Sequence, residues 1–97
     1  MGVKYARKYA QIIGDMMRAI AQMDNFYEFF QMNGDDWGNL DEAERQECLR
    51  TMSDDVFYGL GYDSTISIGS GIVKYDKNNN IIKLYNGDRC VSIVNLI

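Results

Sequence analysis

The apolar residues of the first thirty positions recur at alternating steps of three and four, which is the spacing of one face of an α-helix. These residues are Ala6, Tyr9, Ile13, Met16, Ile20, Met23, Tyr27 and Phe30. The pattern predicts a helix over residues 3–33 that packs on a sheet and another helix. Asn25 and Glu28 have the spacing of a helix cap, so a break near residue 24 stays open. We expect Asn33 and Gly34 to end the helix.

A second helix is predicted over residues 41–59. Asp41 and Glu44 have the spacing of a capping box, in which each side chain accepts a hydrogen bond from the other residue's backbone N–H. Gly59 follows the last apolar turn and is typical of a helix end. A restart at Ser53 is the alternative, since serine commonly caps helices.

Strands are predicted in the last third of the chain, over residues 71–76, 80–85 and 88–96. Asn86-Gly87 is a strong signal for a two-residue hairpin loop and joins the last two strands. The three strands therefore form an antiparallel meander. A fourth, short strand in the segment STISIG stays open, because glycines adjoin it.

The hairpin loop also predicts the strand register. With Asn86-Gly87 as the loop, Tyr85 pairs with Asp88, and one face of the hairpin carries Ile82, Leu84, Val91 and Ile93. A second register, with Tyr75 opposite Ile82 and Val73 opposite Leu84, continues the same apolar face. This face is expected to meet the helices.

The predicted fold class is α+β, with two or three N-terminal helices packed on a C-terminal three-stranded antiparallel β-meander. A chain of 97 residues with 46 % apolar and 25 % charged residues is sufficient for one domain over residues 1–97. No apolar run approaches the length of a membrane span and no signal peptide is recognisable, so we expect a cytoplasmic protein without a membrane segment.

Several kinds of chemistry are disfavoured by composition. The chain has no histidine, so it lacks the commonest general base and metal ligand. Cys48 and Cys90 form no C-x-x-C pair, which argues against zinc and thioredoxin-type redox sites. No cofactor, metal site or catalytic residue is therefore predicted. The basic residues near the amino terminus are too few and too mixed with the apolar stripe to predict direct nucleic-acid binding.

Charge is concentrated in the middle of the chain, where residues 24–63 contain eleven acidic and two basic side chains. At about 100° per residue, the second helix carries an acidic row beside its apolar arc. The segment FYEFFQMNGDDW, residues 26–37, precedes the second helix, and we call it the junction. The candidate partner-binding residues are Phe29, Asp35, Asp36, Trp37, Glu44, Glu47, Asp54 and Asp55.

These residues favour a small non-enzymatic interaction module, an inhibitor or adaptor whose carboxylates engage a basic surface of a partner protein. That surface could be a nucleic-acid-binding groove, in which case the chain would act as a nucleic-acid mimic, as some mobile-element inhibitors of restriction or CRISPR nucleases do. The acidic row has a second interpretation besides partner binding, which is an ordinary solvated helix face. Trp37 likewise has a second interpretation, which is a ring that closes one end of the core. Two other functions stay open: a structural module that forms a homodimer or larger assembly through its first helix, and a small carboxylate-based enzyme.

Overall fold

Helical segments precede a single antiparallel sheet, which confirms the α+β class. The computed structural model describes residues 2–97. In chain order the elements are α1 (Tyr9–Ile20), a 3-10 helix (Phe26–Phe30), α2 (Gly34–Gly38), α3 (Glu42–Gly59), β1 (Thr65–Ile68), β2 (Gly71–Asp76), β3 (Ile81–Asn86) and β4 (Arg89–Asn95). The sheet has four strands in the order β1-β2-β3-β4, so the expectation of three was wrong and the open fourth strand is present as β1.

The first helix is shorter than the predicted range of residues 3–33. Its amino end begins only at Tyr9, because the chain before it runs beside the carboxyl terminus, where the Ala6 N–H donates to the Leu96 carbonyl at 2.7 Å. Its carboxyl end lies at Ile20. Asn25 then takes a left-handed backbone conformation with φ 58°, which a right-handed helix does not accommodate. The break near residue 24 is therefore confirmed.

Asn33 and Gly34 begin a helix, whereas we expected them to end one. The Asn33 side chain accepts a hydrogen bond from the Asp36 N–H at 2.8 Å, and the Asp36 carboxylate accepts one from the Asn33 N–H at 3.1 Å. This capping box starts α2. The preceding 3-10 helix ends at Phe30, and the next residue, Gln31, adopts φ 60°.

Helix α3 is unbroken from Glu42 to Gly59, so no separate helix restarts at Ser53. The predicted capping box is confirmed: the Glu44 N–H donates to Asp41 at 2.8 Å, and the Asp41 N–H donates to Glu44 at 2.9 Å. The two bonds satisfy backbone donors that the first turn of a helix leaves free. The start of α3 is thus determined by residues within one turn of each other.

The register between β2 and β3 is confirmed, with Tyr75 opposite Ile82 and Val73 opposite Leu84. These pairs place Val73, Ile82 and Leu84 on the face that meets the helices. Val73, Ile82 and Leu84 are fully buried there.

The predicted register between β3 and β4 is wrong. Asn86 pairs with Arg89, so the loop residues are Gly87 and Asp88. Gly87 has φ 62°, which suits a type II′ turn with glycine at its first central position. A register shift beside Leu84 then leaves Val91 as an extra residue, a β-bulge that reverses the alternation of the strand.

The bulge changes which residues of the last strand reach the core. Val94 and Leu96 are buried, whereas Ile93, which we expected on the core face, is 53 % exposed. The core lies between one face of the sheet and the helices α1 and α3. Met17 and Phe29 are half-buried and pack against this core, so neither side chain is fully exposed to solvent.

Candidate acidic recognition surface

Four carboxylates follow the solvent side of α3. We call Glu44, Glu47, Asp54 and Asp55 the acidic stripe. Because the helix is unbroken, a rotation of about 100° per residue places them within one arc opposite the buried Leu49, Met52 and Val56. With a rise of 1.5 Å per residue the stripe is about 16 Å long. The helix therefore presents these charges together.

The four side chains differ in their exposure and in the hydrogen bonds that they make within the chain. Glu47 and Asp55 are exposed. Glu44 is exposed but accepts the capping bond of Asp41. Asp54 is half-buried and accepts a hydrogen bond from the Tyr9 hydroxyl at 2.7 Å. Partial burial, followed by this bond and the negative charge of Asp54, raises the pKa of Tyr9 to about 12.

The junction residues lie on the 3-10 helix and α2. Asp35 and Asp36 are both exposed, and Asp36 is engaged in the capping box. Trp37 is half-buried, with its ring edge-on to Phe26 at a centroid distance of 4.8 Å. Phe29 makes a similar edge contact with Phe30 at 5.4 Å. Both aromatic residues of the candidate set therefore contribute part of their surface to internal packing.

Arg45 connects the junction to the start of the acidic stripe. Its guanidinium donates to the Trp37 carbonyl at 3.3 Å and to the Gly38 carbonyl at 3.0 Å. These carbonyls lie at the negative end of α2, where a cation is favourable. The bonds join the carboxyl end of α2, the helix that carries Asp35, Asp36 and Trp37, to the first turn of α3.

A shallow groove runs along the amino half of the stripe. It encloses about 480 Å³ and is lined by Leu40, Ala43, Glu44, Glu47 and Cys48. Its apolar floor between two carboxylates is suited to the stem and charged end of a long basic side chain, which commonly lies along apolar surface.

A second feature was missed by the sequence reasoning. A cleft of about 290 Å³ lies at the carboxyl end of α3, and we call it the aromatic cleft; it is lined by Gly2, Val3, Tyr9, Phe57, Tyr58 and Tyr62. Tyr58 and Tyr62 are 69 % and 73 % exposed, which is high for large rings. The sequence did contain one signal, since Tyr58 falls on the same helical arc as Asp54 and Asp55.

Three further findings concern metal ligands, thiols and membrane-spanning helices. Over residues 2–97, no three or more Cys, Asp or Glu side chains are grouped closely enough to hold a metal ion. Cys48 is half-buried and Cys90 exposed, and both are free thiols. None of the helices described here is both long and apolar enough to cross a membrane.

The chain was compared with known proteins in three ways. A scan against protein-family models found no matching family, and searches of curated proteins and of solved structures found no match.

Proposed function

We propose that the protein is a small, non-enzymatic interaction module of the cytoplasm, an inhibitor or adaptor that engages a basic surface of a partner protein. The observation that carries the proposal is the acidic stripe. An unbroken helix carries its four carboxylates on one arc away from its buried residues, with Glu44, Glu47 and Asp55 exposed and Asp54 half-buried. The free thiols of Cys48 and Cys90 are compatible with a reducing compartment.

Electrostatics indicate what the stripe would contribute. Helix α3 has five acidic and two basic side chains, and one of the basic ones, Arg45, is engaged with α2. Exposed ion pairs are worth about 0.2–1 kcal/mol each and are screened beyond about 8 Å at physiological salt. The stripe would therefore mainly raise the association rate and select the partner, while apolar contacts supply much of the affinity.

The spacing of the charges argues for a local basic patch on the partner. Four carboxylates lie along about 16 Å of helix, whereas duplex DNA presents roughly ten phosphates over that length. The stripe is therefore much less charged than DNA. An inhibitor of a restriction or CRISPR nuclease remains the narrower form of the proposal, and oligonucleotide competition for the same partner surface would support it.

Assembly through α1 has less support than partner binding. The apolar residues of this helix, including Ile12, Ile13 and Met16, are buried within the same chain. Little of the apolar surface of this helix is left for a homodimer. A monomer in sedimentation at micromolar concentration would agree with the interaction proposal.

The proposal is tested by reversing two exposed charges of the stripe. The tagged protein is used to capture its partner from the source cell, and the purified pair is titrated by calorimetry at low and high salt. Glu47→Lys with Asp55→Lys should weaken binding by about tenfold and reduce its salt dependence, because attraction becomes repulsion.

The matched control is Asp88→Lys with Ser67→Lys and Asn78→Lys, which changes the net charge equally at exposed positions outside α3 and the junction. Its binding should stay within about twofold of the wild-type protein. Equal losses in the two variants, or binding that does not respond to salt, would contradict the proposal.

A further inference from the structure

We propose that the aromatic cleft receives a single cationic side chain, arginine or lysine, from the partner's basic surface. The inference rests on the proposed function and names the group that the cleft would recognise. The cleft adjoins the carboxyl end of the acidic stripe, because Tyr9, which lines the cleft, donates its hydroxyl hydrogen bond to Asp54 of the stripe.

The exposed wall of the cleft consists of two tyrosine rings that hold each other in place. Tyr58 lies in the last turn of α3 and Tyr62 just beyond its end, with ring centroids at 5.4 Å and hydroxyl oxygens at 3.0 Å. Deeper in the cleft, Phe57 meets Tyr9 edge-on at 5.2 Å. Cations bind favourably over the faces of tyrosine rings. The walls are therefore formed before a ligand arrives.

Charges around the cleft favour a positive occupant at its Tyr9 side. Asp54 and Asp55 precede Tyr58 by about one turn, on the same side of α3. Burial is the largest cause of the raised pKa of Tyr9; beyond it, Asp54 raises this pKa by more than the nearby Arg50 of the same helix lowers it.

On one side the aromatic cleft borders a second cleft that is lined by basic side chains. Lys4 and Lys77 line a neighbouring cleft of about 500 Å³ that shares Tyr62 as a wall. A cation would be repelled from that second cleft and favoured in the aromatic cleft, where Asp54 accepts the Tyr9 hydroxyl hydrogen bond. A neutral apolar group would gain the ring contacts but leave the half-buried Asp54 charge without a cationic partner. Arginine is the better fit, since its planar guanidinium stacks on rings and donates to carboxylates.

The test uses small probes and needs no knowledge of the partner. N-acetyl-arginine amide is titrated into the full chain up to tens of millimolar, and ring proton shifts are followed by NMR. We expect saturable shifts at Tyr9, Phe57, Tyr58 and Tyr62, with a dissociation constant in the millimolar range. N-acetyl-citrulline amide, which has the same shape without the charge, should cause at most a tenth of these shifts at equal concentration.

Two exposed rings allow the site to be removed without disturbing the core. Tyr58→Ala and Tyr62→Ala should each weaken arginine amide binding by roughly two- to fivefold, the contribution of one cation–π contact. Ile93→Ala, an exposed apolar position on the outer face of the sheet, is the control and should leave binding unchanged. Absence of saturable shifts, equal shifts with the citrulline probe, or equal loss in all three variants would overturn the inference.

The two proposals fail separately. If charge reversal in the stripe weakens the partner but the arginine probe does not bind, the cleft inference is wrong and the proposed function stands. If the probe binds in the cleft but partner binding ignores the stripe, the proposed function is wrong.

Discussion

Replacing Ser53 with alanine should stabilise the protein, which is the reverse of most changes at a buried position. Ser53 is fully buried in α3 beside Met52, and its hydroxyl oxygen has no hydrogen-bond partner within residues 2–97. A buried hydroxyl without a partner has lost its bonds to water and gained none in exchange. Alanine removes that oxygen and leaves the rest of the side chain in place.

The size of the effect follows from two contributions. Removing an unpaired buried polar group recovers roughly 1–3 kcal/mol, and alanine gains about 0.5 kcal/mol over serine in helix propensity. A small void where the oxygen lay offsets part of this gain, so we expect a net increase of about 1.5 kcal/mol in the free energy of unfolding. In a domain of this size that corresponds to a rise of roughly 6–10 °C in the unfolding midpoint.

Urea and thermal unfolding, followed by circular dichroism, measure the change. Thr51→Ala is the matched control, because Thr51 is exposed on the same helix and reports helix propensity alone. It should gain only about 0.5 kcal/mol. If Ser53→Ala is no more stable than Thr51→Ala, the hydroxyl does have a partner, most simply the Leu49 carbonyl four residues earlier, and the reasoning fails.

Two further predictions concern the sheet and the aromatic cleft. Gly71→Ala should lower the free energy of unfolding by about 3 kcal/mol or more, because a Cβ there would collide with the Tyr85 backbone carbonyl. Gly38→Ala is the control, since a Cβ at Gly38 meets open space. Similar urea midpoints for the two variants would contradict the close approach of Gly71 to Tyr85. Tyr9 has a folded-state pKa of about 12 against an ordinary 10.0, so its stabilisation is complete below pH 10 and is lost as pH rises towards 12. Tyr9→Phe should reduce the loss of unfolding free energy between pH 10 and 12, as measured by urea unfolding. An unchanged pH profile would show that deprotonation of Tyr9 does not contribute to this loss.

Features that depend on neighbouring residues could be read from the chain alone. The Asp41–Glu44 capping box and the β2–β3 register were both predicted, because each is decided by side chains or a turn within a short segment. The acidic stripe was predicted for the same reason, since spacing along a helix determines which residues share a face. The four carboxylates share one face because α3 is a single continuous helix.

Other features depend on contacts between distant parts of the chain. α1 begins only at Tyr9 because the segment before it bonds to the carboxyl end of the chain at Leu96, and no local pattern encodes that contact. The bulge at Val91 is similar, since a one-residue slip exchanges the two faces of a strand and is settled by how β4 packs on the core.

The binding surface divides in the same way. The sequence by itself determined that an acidic helix follows an aromatic junction, because charge and helical periodicity are local properties. Only the tertiary structure decided that Tyr9 meets Asp54 across 45 positions, and that Tyr58 and Tyr62 form the wall of a cleft instead of joining the core. The physical reason is that a cleft exists only where separate segments pack, so its position follows from the whole fold.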